Sequence, residues 1–379
     1  MKIKSGNQGL KISFVIKRLH NASGGAERVL ADVTAGLVER GHDITILSFD
    51  HPGEKSFYSL NPQVKWIRAG IGNPAKPATI EETIKRMSYM RRFAKEEKPD
   101  CVVAFMHSSF VPAAFSLICM GVPVIASEHI VPAHYKTRPI EFLFLILSAF
   151  LVRSMTVVGD GVRILYPECI RDKISVIHNP VSPDIFDVLR TEDERKIVLN
   201  VGRLEPQKDQ KTLIEAFARV EKDYPEWILK IVGEGTLRAG LKAQIRSLGL
   251  ENRVILAGAT KGVVREYAGA DIFALSSRYE SFGMATAEAM ASGLPAIGFA
   301  DCPGTNELIR DGETGFLVAP HTAEAFADAL KKLMGDAGLR GRMGQAGRGF
   351  LAPYALENVV KDWESLIFRC ISVSGNARS

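Results

Sequence analysis

The chain has few cysteines for its length, and none are spaced as a metal-binding pair. Of 379 residues five are cysteine, an odd number, and no two form a CxxC pair. This scarcity argues against both a disulfide framework and a zinc site, and it favours a reducing cytosol. The cysteines are Cys101, Cys119, Cys169, Cys302 and Cys370.

The sequence also lacks an apolar segment long enough to cross a membrane. Its longest apolar run, 142–152, is interrupted only by a serine and is shorter than the roughly 20 residues that a spanning helix needs. No signal-like apolar stretch precedes the first predicted strand, so we expect a cytoplasmic protein. A buried helix is the simplest interpretation of the run. Because it is apolar on every side and flanked by Lys136, Arg138 and Arg153, a membrane-surface role stays open.

Charge is unevenly placed along the chain. Residues 1–180 hold 23 Lys/Arg and 16 Asp/Glu, a net of +7, whereas the remainder holds 25 and 27, a net of −2. This asymmetry predicts that the N-terminal half meets something anionic. A helix predicted over 80–98 places several cations on one arc, and an ordinary solvated face competes with contact to anionic lipid or a lipid diphosphate. These cations are Lys85, Arg91, Arg92, Lys95 and Lys98.

Short apolar strands alternate with helical stretches, and the rhythm restarts in the second half. This pattern predicts an α/β protein with two Rossmann-like, doubly wound parallel sheets, whose active site lies in a cleft between domains. We expect domains over 1–190 and 191–355, then a C-terminal helix over 356–379 that packs back across the hinge. The strands are expected at 12–16, 44–49, 64–67, 101–105, 122–126, 155–158, 197–201, 228–232, 254–257, 272–275 and 295–299, with another closing near 177.

The segment from Glu280 to Gly293 is the most informative stretch of the chain. It reads ESFGMATAEAMASG. A helix is expected to begin near Gly283, where unpaired amides and partial positive charge suit a phosphate. Glu288 then falls in its second turn, and Gly293 with Pro295 ends it. A surface helix with two solvated glutamates is the competing interpretation.

Further candidate residues follow other predicted strands. Arg203 and Lys208 follow the first strand of the second domain, where a guanidinium and an ammonium suit a diphosphate; solvated cations are the alternative. Near the N-terminus, Ser23, Gly24 and Gly25 could admit a ligand to backbone amides. This is not the GxGxxG fingerprint, and Asp50 is only a weak match for its acidic partner.

Two histidines also lie just beyond strand ends. His107 and His129 could orient or deprotonate a hydroxyl, although a lone histidine is more often structural. Glu128 beside His129 strengthens that position. The glycine turn 233–235 is interpreted as a tight turn, whereas the turn at 303–307 could line a ligand site.

Together these residues resemble glycosyltransferase family 4, of the GT-B fold, over nearly the whole chain. The motifs are Gly24-Gly25-Ala26-Glu27-Arg28, Ser127-Glu128-His129, Gly202-Arg203-Leu204 with Lys208, Gly233-Glu234-Gly235, and Glu280 to Glu288 with Gly293 and Pro295. Ser281 and Pro303 depart from the commonest pattern, which often has glycine at both, and this bears on donor identity. The N-terminal half resembles enzymes that extend lipid-linked glycans for surface polysaccharide.

The resemblance implies a retaining hexosyltransferase that uses a UDP- or GDP-linked sugar and a glycan or lipid-linked acceptor, with no metal or other cofactor. Arg203 and Lys208 would bind the diphosphate, Glu280 the donor sugar and Glu288 the ribose, as a carboxylate can. The amides around Phe282, Gly283 and Met284 would assist, and Gly24 and Gly25 would close over the phosphates. His129 would contact the donor sugar, and His107 would lie on the acceptor side.

Two other functions stay open at this point. A nucleotide-sugar epimerase could share the fold, and a non-catalytic sugar-nucleotide or membrane-binding scaffold is a third class. The missing dinucleotide fingerprint argues against a nicotinamide dehydrogenase. No nucleic-acid partner is expected. We expect location in the cytoplasm, with peripheral contact to the inner face of its membrane as the alternative to a fully solvated surface.

Overall fold

The computed structural model describes residues 9–22, 24–189, 196–260 and 262–376, with side chains described as far as residue 372. The chain divides into two units, one of residues 1–180 with 356–379 and one of residues 181–355. The boundary expected at 190 falls on residues outside the described ranges. Residues 181–189 group with the second unit because Val181 pairs with Ala355 and the short helix Pro183–Phe186 packs on the helix Met284–Ala291.

The first unit is built on a parallel sheet. Its strands are β1 (Lys11–Val15), β2 (Asp43–Ser48), β3 (Lys65–Arg68), β4 (Cys101–Phe105), β5 (Val124–Ser127), β6 (Ser154–Val157) and β7 (Ile174–Val176). They lie in the order β3-β2-β1-β4-β5-β6-β7. β4 and β5 are buried along their whole length, as expected where helices cover both faces of a parallel sheet.

Helices connect these strands. They are α1 (Gly25–Glu39), α2 (Ile80–Glu97), α3 (His107–Ser116), α4 (Pro139–Leu151), α5 (Asp160–Ile164) and α6 (Glu168–Arg171), with a 3₁₀ turn at Pro132–Thr137. Thr79 and Glu82 form a capping box at the start of α2, which explains why the helix begins there. The five cations predicted on one arc of this helix and its C-cap are all exposed, and Met90 and Phe93 on the other arc are buried.

The interpretation of 142–152 as a buried helix is wrong. The stretch is helical, but Leu143, Phe144, Leu147 and Phe150 are between 44% and 55% exposed. Only Leu145, Ser148 and Ala149 of α4 are buried, because α3, α6 and the 3₁₀ turn pack on one side of the helix and no described segment covers the other. No helix within the described ranges is both long and apolar enough to span a membrane.

The second unit repeats the architecture. Its strands are β8 (Lys196–Val201), β9 (Trp227–Val232), β10 (Val254–Gly258), β11 (Ile272–Leu275), β12 (Ala296–Phe299) and β13 (Gly315–Val318), in the order β10-β9-β8-β11-β12-β13. Its helices are α7 (Pro183–Phe186), α8 (Gln210–Ala218), α9 (Arg238–Ser247), α10 (Val263–Ala268), α11 (Met284–Ala291), α12 (Thr305–Leu308), α13 (Ala323–Gly335) and α14 (Ala337–Leu351), with 3₁₀ turns at Pro206–Lys208 and Ala352–Tyr354.

The sequence pattern predicts the C-terminal helix but does not predict β13. That strand is only four residues long and begins with a glycine, so its pattern is too short to recognise. The last helix, α15 (Leu356–Asn376), packs on α1 in the first unit. Gly36 allows this approach, since a Cβ atom there would lie 2.6 Å from Cγ2 of Val360.

Candidate active site

In each sheet the strand order reverses beside the first strand of the unit. The loops after β1 and β4 therefore diverge in the first unit, and those after β8 and β11 diverge in the second. Ligands of open parallel sheets bind beyond the carboxyl ends of the strands at such a reversal. All candidate residues lie in, or just after, loops that follow β1, β4, β5, β8 or β11: Gly24, Gly25, His107, His129, Arg203, Lys208, Glu280, Phe282, Gly283, Met284 and Glu288.

In the second unit, Lys208 and Glu280 meet directly. The Lys208 ammonium donates a hydrogen bond of 2.5 Å to Oε1 of Glu280. Their side chains are only 15% and 10% exposed, so solvent screens this pair less than a surface pair. Two residues that the sequence places 72 positions apart thus form one charged group at the reversal point.

Backbone hydrogen bonds hold the two loops together. The Ser276 hydroxyl donates to the carbonyl oxygens of Lys208 and Asp209, at 3.0 and 2.9 Å. The amide of Arg278 donates to the carbonyl of Gln207 at 2.9 Å. These contacts fix the backbone next to both members of the ion pair.

A second charged cluster buttresses the same loop and was missed by sequence reasoning. Asp209, which is 8% exposed, forms an ion pair of 2.7 Å with Arg278 and lies 3.6 Å from Nε2 of His321. The His321 ring stacks on Phe299, and its Nδ1 lies 3.0 Å from Asp301. Motif spacing carries no signal for this cluster, because its members come from four separate segments.

Glycines hold the Arg203 loop close to the neighbouring loop. Gly233 has φ +149, and a Cβ atom there would overlap the carbonyl oxygen of Gly202. The amide of Leu204 donates to the carbonyl of Glu234 at 2.9 Å. The interpretation of 233–235 as a tight turn alone is therefore incomplete, since these glycines also set the backbone of the Arg203 loop. Arg203 itself is exposed, and its side chain has no hydrogen bond or ion pair within the described part of the chain.

The turn at 303–304 supports Glu280. The Glu280 amide donates to the carbonyl of Pro303 at 3.0 Å, and a Cβ atom on Gly304 would lie 2.7 Å from the Glu280 carbonyl oxygen. Gly283, at φ +85, is the N-cap of α11, so the helix begins where the sequence predicted. Phe282 is buried, and Met284 is the first residue of the helix.

Glu288 is buried in the second turn of α11. The Tyr267 hydroxyl donates a hydrogen bond of 2.8 Å to its Oε2. Both side chains are nearly inaccessible, at 4% for Glu288 and 0% for Tyr267. The competing interpretation, two solvated glutamates on a surface helix, is therefore wrong for both Glu280 and Glu288.

In the first unit, Glu128 is the centre of a hydrogen-bond network. Its Oε1 accepts the amides of His129 and Ile130 at 2.8 and 3.0 Å, and its Oε2 accepts the Tyr135 hydroxyl at 2.7 Å. The same hydroxyl lies 2.8 Å from Nδ1 of His107. Burial raises the pKa of Glu128 to about 7, and it lowers the pKa of His107 to about 4.

In this network the position of the His107 proton depends on whether Glu128 is ionised. A neutral imidazole carries one proton, and the Tyr135 hydroxyl has one to donate. When Glu128 is ionised, Tyr135 donates to it, Nδ1 of His107 donates to Tyr135, and Nε2 of His107 keeps a lone pair. When Glu128 is protonated, the direction can reverse and Nε2 then carries the proton. The arrangement can therefore present His107 to a hydroxyl as an acceptor.

His129 is tied into the unit more firmly than His107. Its Nε2 lies 2.9 Å from the Ser127 hydroxyl, and its ring stacks on Phe105 with centroids 4.9 Å apart. Burial lowers its pKa to about 4. The imidazole is therefore neutral at physiological pH.

The glycines at the start of α1 are exposed, and a carboxylate lies beside them. Gly24 is the N-cap, and a Cβ atom there would overlap Oε2 of Glu27, whose pKa is raised by burial. Ser23 lies outside the described residues. Asp50 accepts the amides of Leu19 and His20, at 2.8 and 3.2 Å, so it holds the loop after β1.

Two family models match adjacent parts of the chain. Residues 23–185 match Glycosyltransferase Family 4, and residues 181–350 match Glycosyl transferases group 1. The chain belongs to these glycosyltransferase families. The resemblance given by the sequence motifs is thereby confirmed, and so is the prediction that the protein is a glycosyltransferase.

Curated relatives of this glycosyltransferase match it along most of their length. An N-acetyl-D-galactosaminyltransferase of Campylobacter jejuni that acts on an undecaprenol-diphosphate-linked glycan is 26% identical, over 94% of this chain and 98% of that protein. The amylovoran biosynthesis glycosyltransferase AmsD of Erwinia amylovora is 27% identical, over 94% and 99%.

Solved structures show the same fold. Sucrose-phosphate synthase of Thermosynechococcus elongatus superposes with a TM-score of 0.83 at 18% identity, over 97% of this chain and all of that one. HepE of Anabaena, in complex with UDP, gives 0.77 at 18% identity, over 95% and 100%. The expected GT-B fold, with two parallel-sheet α/β domains, is confirmed.

Proposed function

We propose that this glycosyltransferase moves a sugar from a nucleoside diphosphate sugar to a glycan or lipid-linked acceptor in surface polysaccharide synthesis, with retention of configuration. The observation that carries the proposal is the Lys208–Glu280 pair at the strand reversal of the second unit, near the exposed Arg203. The functions of the Campylobacter and Erwinia relatives support the acceptor class. The UDP bound to HepE supports a UDP-linked donor as the first to test.

The cations of the second unit are proposed to drive bond cleavage. As the bond between the anomeric carbon and the diphosphate oxygen breaks, its electron pair stays on the diphosphate. Arg203 and Lys208 stabilise that charge, the first as a forked donor and the second as a point charge. The acceptor oxygen bonds to the anomeric carbon on the same face and gives its proton to the departing diphosphate.

The carboxylates are proposed to recognise the donor rather than to transfer protons. Glu280 accepts hydrogen bonds from the donor sugar while it holds the Lys208 ammonium. Glu288 accepts hydrogen bonds from the ribose, and Tyr267 orients it. The amides around Phe282, Gly283 and Met284 add donors at the start of α11.

The first unit is proposed to supply neutral imidazoles. His107, which is 19% exposed, is placed on the acceptor side, where Nε2 can accept a hydrogen bond from the acceptor hydroxyl. His129 is proposed to contact the donor sugar, and Gly24 and Gly25 to close over its phosphates. No metal is required in this scheme, since Arg203 and Lys208 neutralise the negative charge that develops on the leaving diphosphate.

A donor screen followed by product analysis tests the proposal. Thermal unfolding is measured with a panel of UDP-, GDP- and ADP-sugars, since a ligand bound only to the folded state raises the apparent stability. The stabilising donor is then incubated with lipid-linked glycan acceptors, and the anomer of the product is determined by NMR. An inverted product contradicts retention. Conversion of the donor without acceptor would instead favour an epimerase, and donor binding without any turnover would favour a scaffold.

A further inference from the structure

Helix α4 carries large apolar side chains on its outer face. Ile140, Leu143, Phe144, Leu147 and Phe150 are 70%, 55%, 47%, 44% and 50% exposed. They recur at intervals of three and four residues, so they form one stripe along the helix. We call these five residues the α4 stripe. Single exposed apolar residues are ordinary on protein surfaces, but a contiguous stripe marks an interaction site.

Packing within the first unit does not explain the α4 stripe. The face that meets the unit carries Leu145, Ser148 and Ala149, so the largest side chains point away from the protein. The helix holds a single charged residue, Glu141, whereas an ordinary surface helix is polar on its solvent side. The exposed face of α4 thus carries larger apolar side chains than the buried face does.

Cations surround both ends of the α4 stripe. Lys136 and Arg138 precede the helix, and Arg153 and Lys173 lie at its other end. The Lys173 ammonium donates to the carbonyl of Phe150 at 3.2 Å and lies 5.5 Å from the centre of its ring.

The one carboxylate on the helix is already paired. Glu141 lies 3.6 Å from the Arg138 guanidinium. Glu168 of α6, which packs on α4, is paired with Arg171 in the same way. The cations that flank the α4 stripe therefore outnumber the unpaired carboxylates named here.

We propose that the α4 stripe docks this protein onto an anionic lipid bilayer. The apolar side chains would enter the boundary between headgroups and acyl chains, and the flanking cations would contact lipid phosphates. A second copy of the chain fits the surface less well. Whether two α4 helices paired parallel or antiparallel, cationic ends would face cationic ends. The inference depends on this surface alone and holds whichever donor and acceptor the enzyme uses.

Co-sedimentation of the full chain with vesicles tests the proposal. We expect binding to phosphatidylcholine vesicles that contain phosphatidylglycerol, weaker binding without phosphatidylglycerol, and a further loss in high salt. The variant I140Q/L143Q/L147Q should reduce the partition coefficient at least tenfold. The matched control L248Q/I255Q changes residues of the second unit that are 43% and 39% exposed, and it should bind like the unaltered protein.

A charge variant and a fluorescence variant complete the test. K136Q/R153Q should weaken binding to anionic vesicles by about tenfold or more, because each cation near such a surface contributes about 1 kcal/mol. L147W places a new indole on the stripe, and its emission should shift to shorter wavelength when anionic vesicles are added. This readout needs only a single exposed substitution.

Three results would overturn the proposal. They are failure of the unaltered protein to sediment with anionic vesicles, equal binding by I140Q/L143Q/L147Q, and an unshifted L147W spectrum. If the unaltered protein does not bind vesicles but forms a dimer that the stripe variant dissociates, the stripe is instead a contact between copies. Sedimentation velocity distinguishes this result.

Discussion

The Lys208 ammonium lies 2.5 Å from Oε1 of Glu280, so a cation and an anion from two neighbouring loops form one ion pair. Glu280 orders the flexible lysine stem in advance, so that in the proposed mechanism the donor does not have to do so at a cost in entropy. Lys208 in turn neutralises a carboxylate that is nearly buried. The pair is thereby suited to the role proposed for it, which is to hold a cation beside the donor diphosphate.

Lys208→Ala should lower kcat/KM by about 10²–10³-fold, the usual effect of losing one preorganised group that stabilises developing charge. The matched control is Lys211→Ala, a nearby lysine on the exposed side of α8, which should retain normal kinetics. Steady-state kinetics with the stabilising donor provide the measurement. Equal kinetics for both variants would remove Lys208 from the proposed mechanism.

Tyr267→Phe should raise the KM for the donor with little change in kcat, because it frees Glu288 to leave the position in which it is proposed to bind the ribose. Loss of a buried hydrogen bond to a carboxylate should also cost about 1–3 kcal/mol of unfolding free energy. Tyr224→Phe is the control, since that hydroxyl donates to the Lys331 carbonyl at 3.3 Å, away from Glu288. A lower stability with an unchanged donor KM would mean that the Tyr267–Glu288 bond is purely structural.

Glu128→Gln should become more stabilising relative to the unaltered protein as the pH rises. The pKa of Glu128 is about 7 in the folded chain, against an ordinary value of 4.5. The folded chain therefore binds the Glu128 proton more tightly than the unfolded chain does. The stability that this contributes is present at low pH and is lost as the pH rises through 7. The shift sets an upper limit on the order of 3 kcal/mol.

Thermal midpoints of the two proteins at pH 5 and pH 8 measure this difference. Both retain His107 and His129, whose lowered pKa values cost stability on the acid side in each. Glu141→Gln, which removes a half-exposed carboxylate of the same region, should show a smaller pH dependence. A gap between Glu128→Gln and the unaltered protein that does not change with pH would contradict a buried, protonated Glu128.

Gly233→Ala should destabilise the second unit by about 2 kcal/mol or more and abolish donor binding, because its Cβ atom would displace the Gly202 carbonyl. Gly240→Ala is the matched control. Gly240 lies inside α9, and a Cβ atom there would have no described neighbour within 4 Å, so alanine should stabilise by about 1 kcal/mol. Urea unfolding and donor-induced thermal shifts compare the two variants, and normal donor binding by Gly233→Ala would contradict the role of the glycine.

Excess EDTA should leave the transfer rate unchanged, since Arg203 and Lys208 are proposed to neutralise the leaving diphosphate. The enzyme is dialysed against chelator and assayed with and without added Mg²⁺ or Mn²⁺. A rate that collapses with chelator and returns with either ion would replace this scheme with metal-assisted catalysis.

Much of the fold could be predicted because its signals are local. Apolar runs such as 101–105 lie between turn residues, and capping residues such as Thr79 mark helix starts within a few positions. β13 was missed since four residues after a glycine give too short a pattern. Burial of α4 was predicted wrongly, because an apolar sequence shows that a helix can be buried but does not show which neighbour covers it.

The candidate site could be predicted only in part. Motif order predicts Arg203, Lys208, Glu280 and Glu288 as candidates, but it does not predict the partners of the last three. Tyr267 is 21 residues from Glu288, and the Arg278–Asp209 pair spans 69 positions. Such contacts depend on which strands become neighbours in the sheet. The residue pattern of one segment does not predict where another segment lies.

The sequence by itself determined the alternation of strands and helices, the positions of the charged loops and the family, because each rests on residue types at short spacing. The tertiary structure alone decided that Lys208 pairs with Glu280, that Glu128 shares a proton network with His107, and that the α4 stripe faces outward. Those outcomes follow from long-range packing and from burial, which set the distances between charges and the pKa values of the groups enclosed.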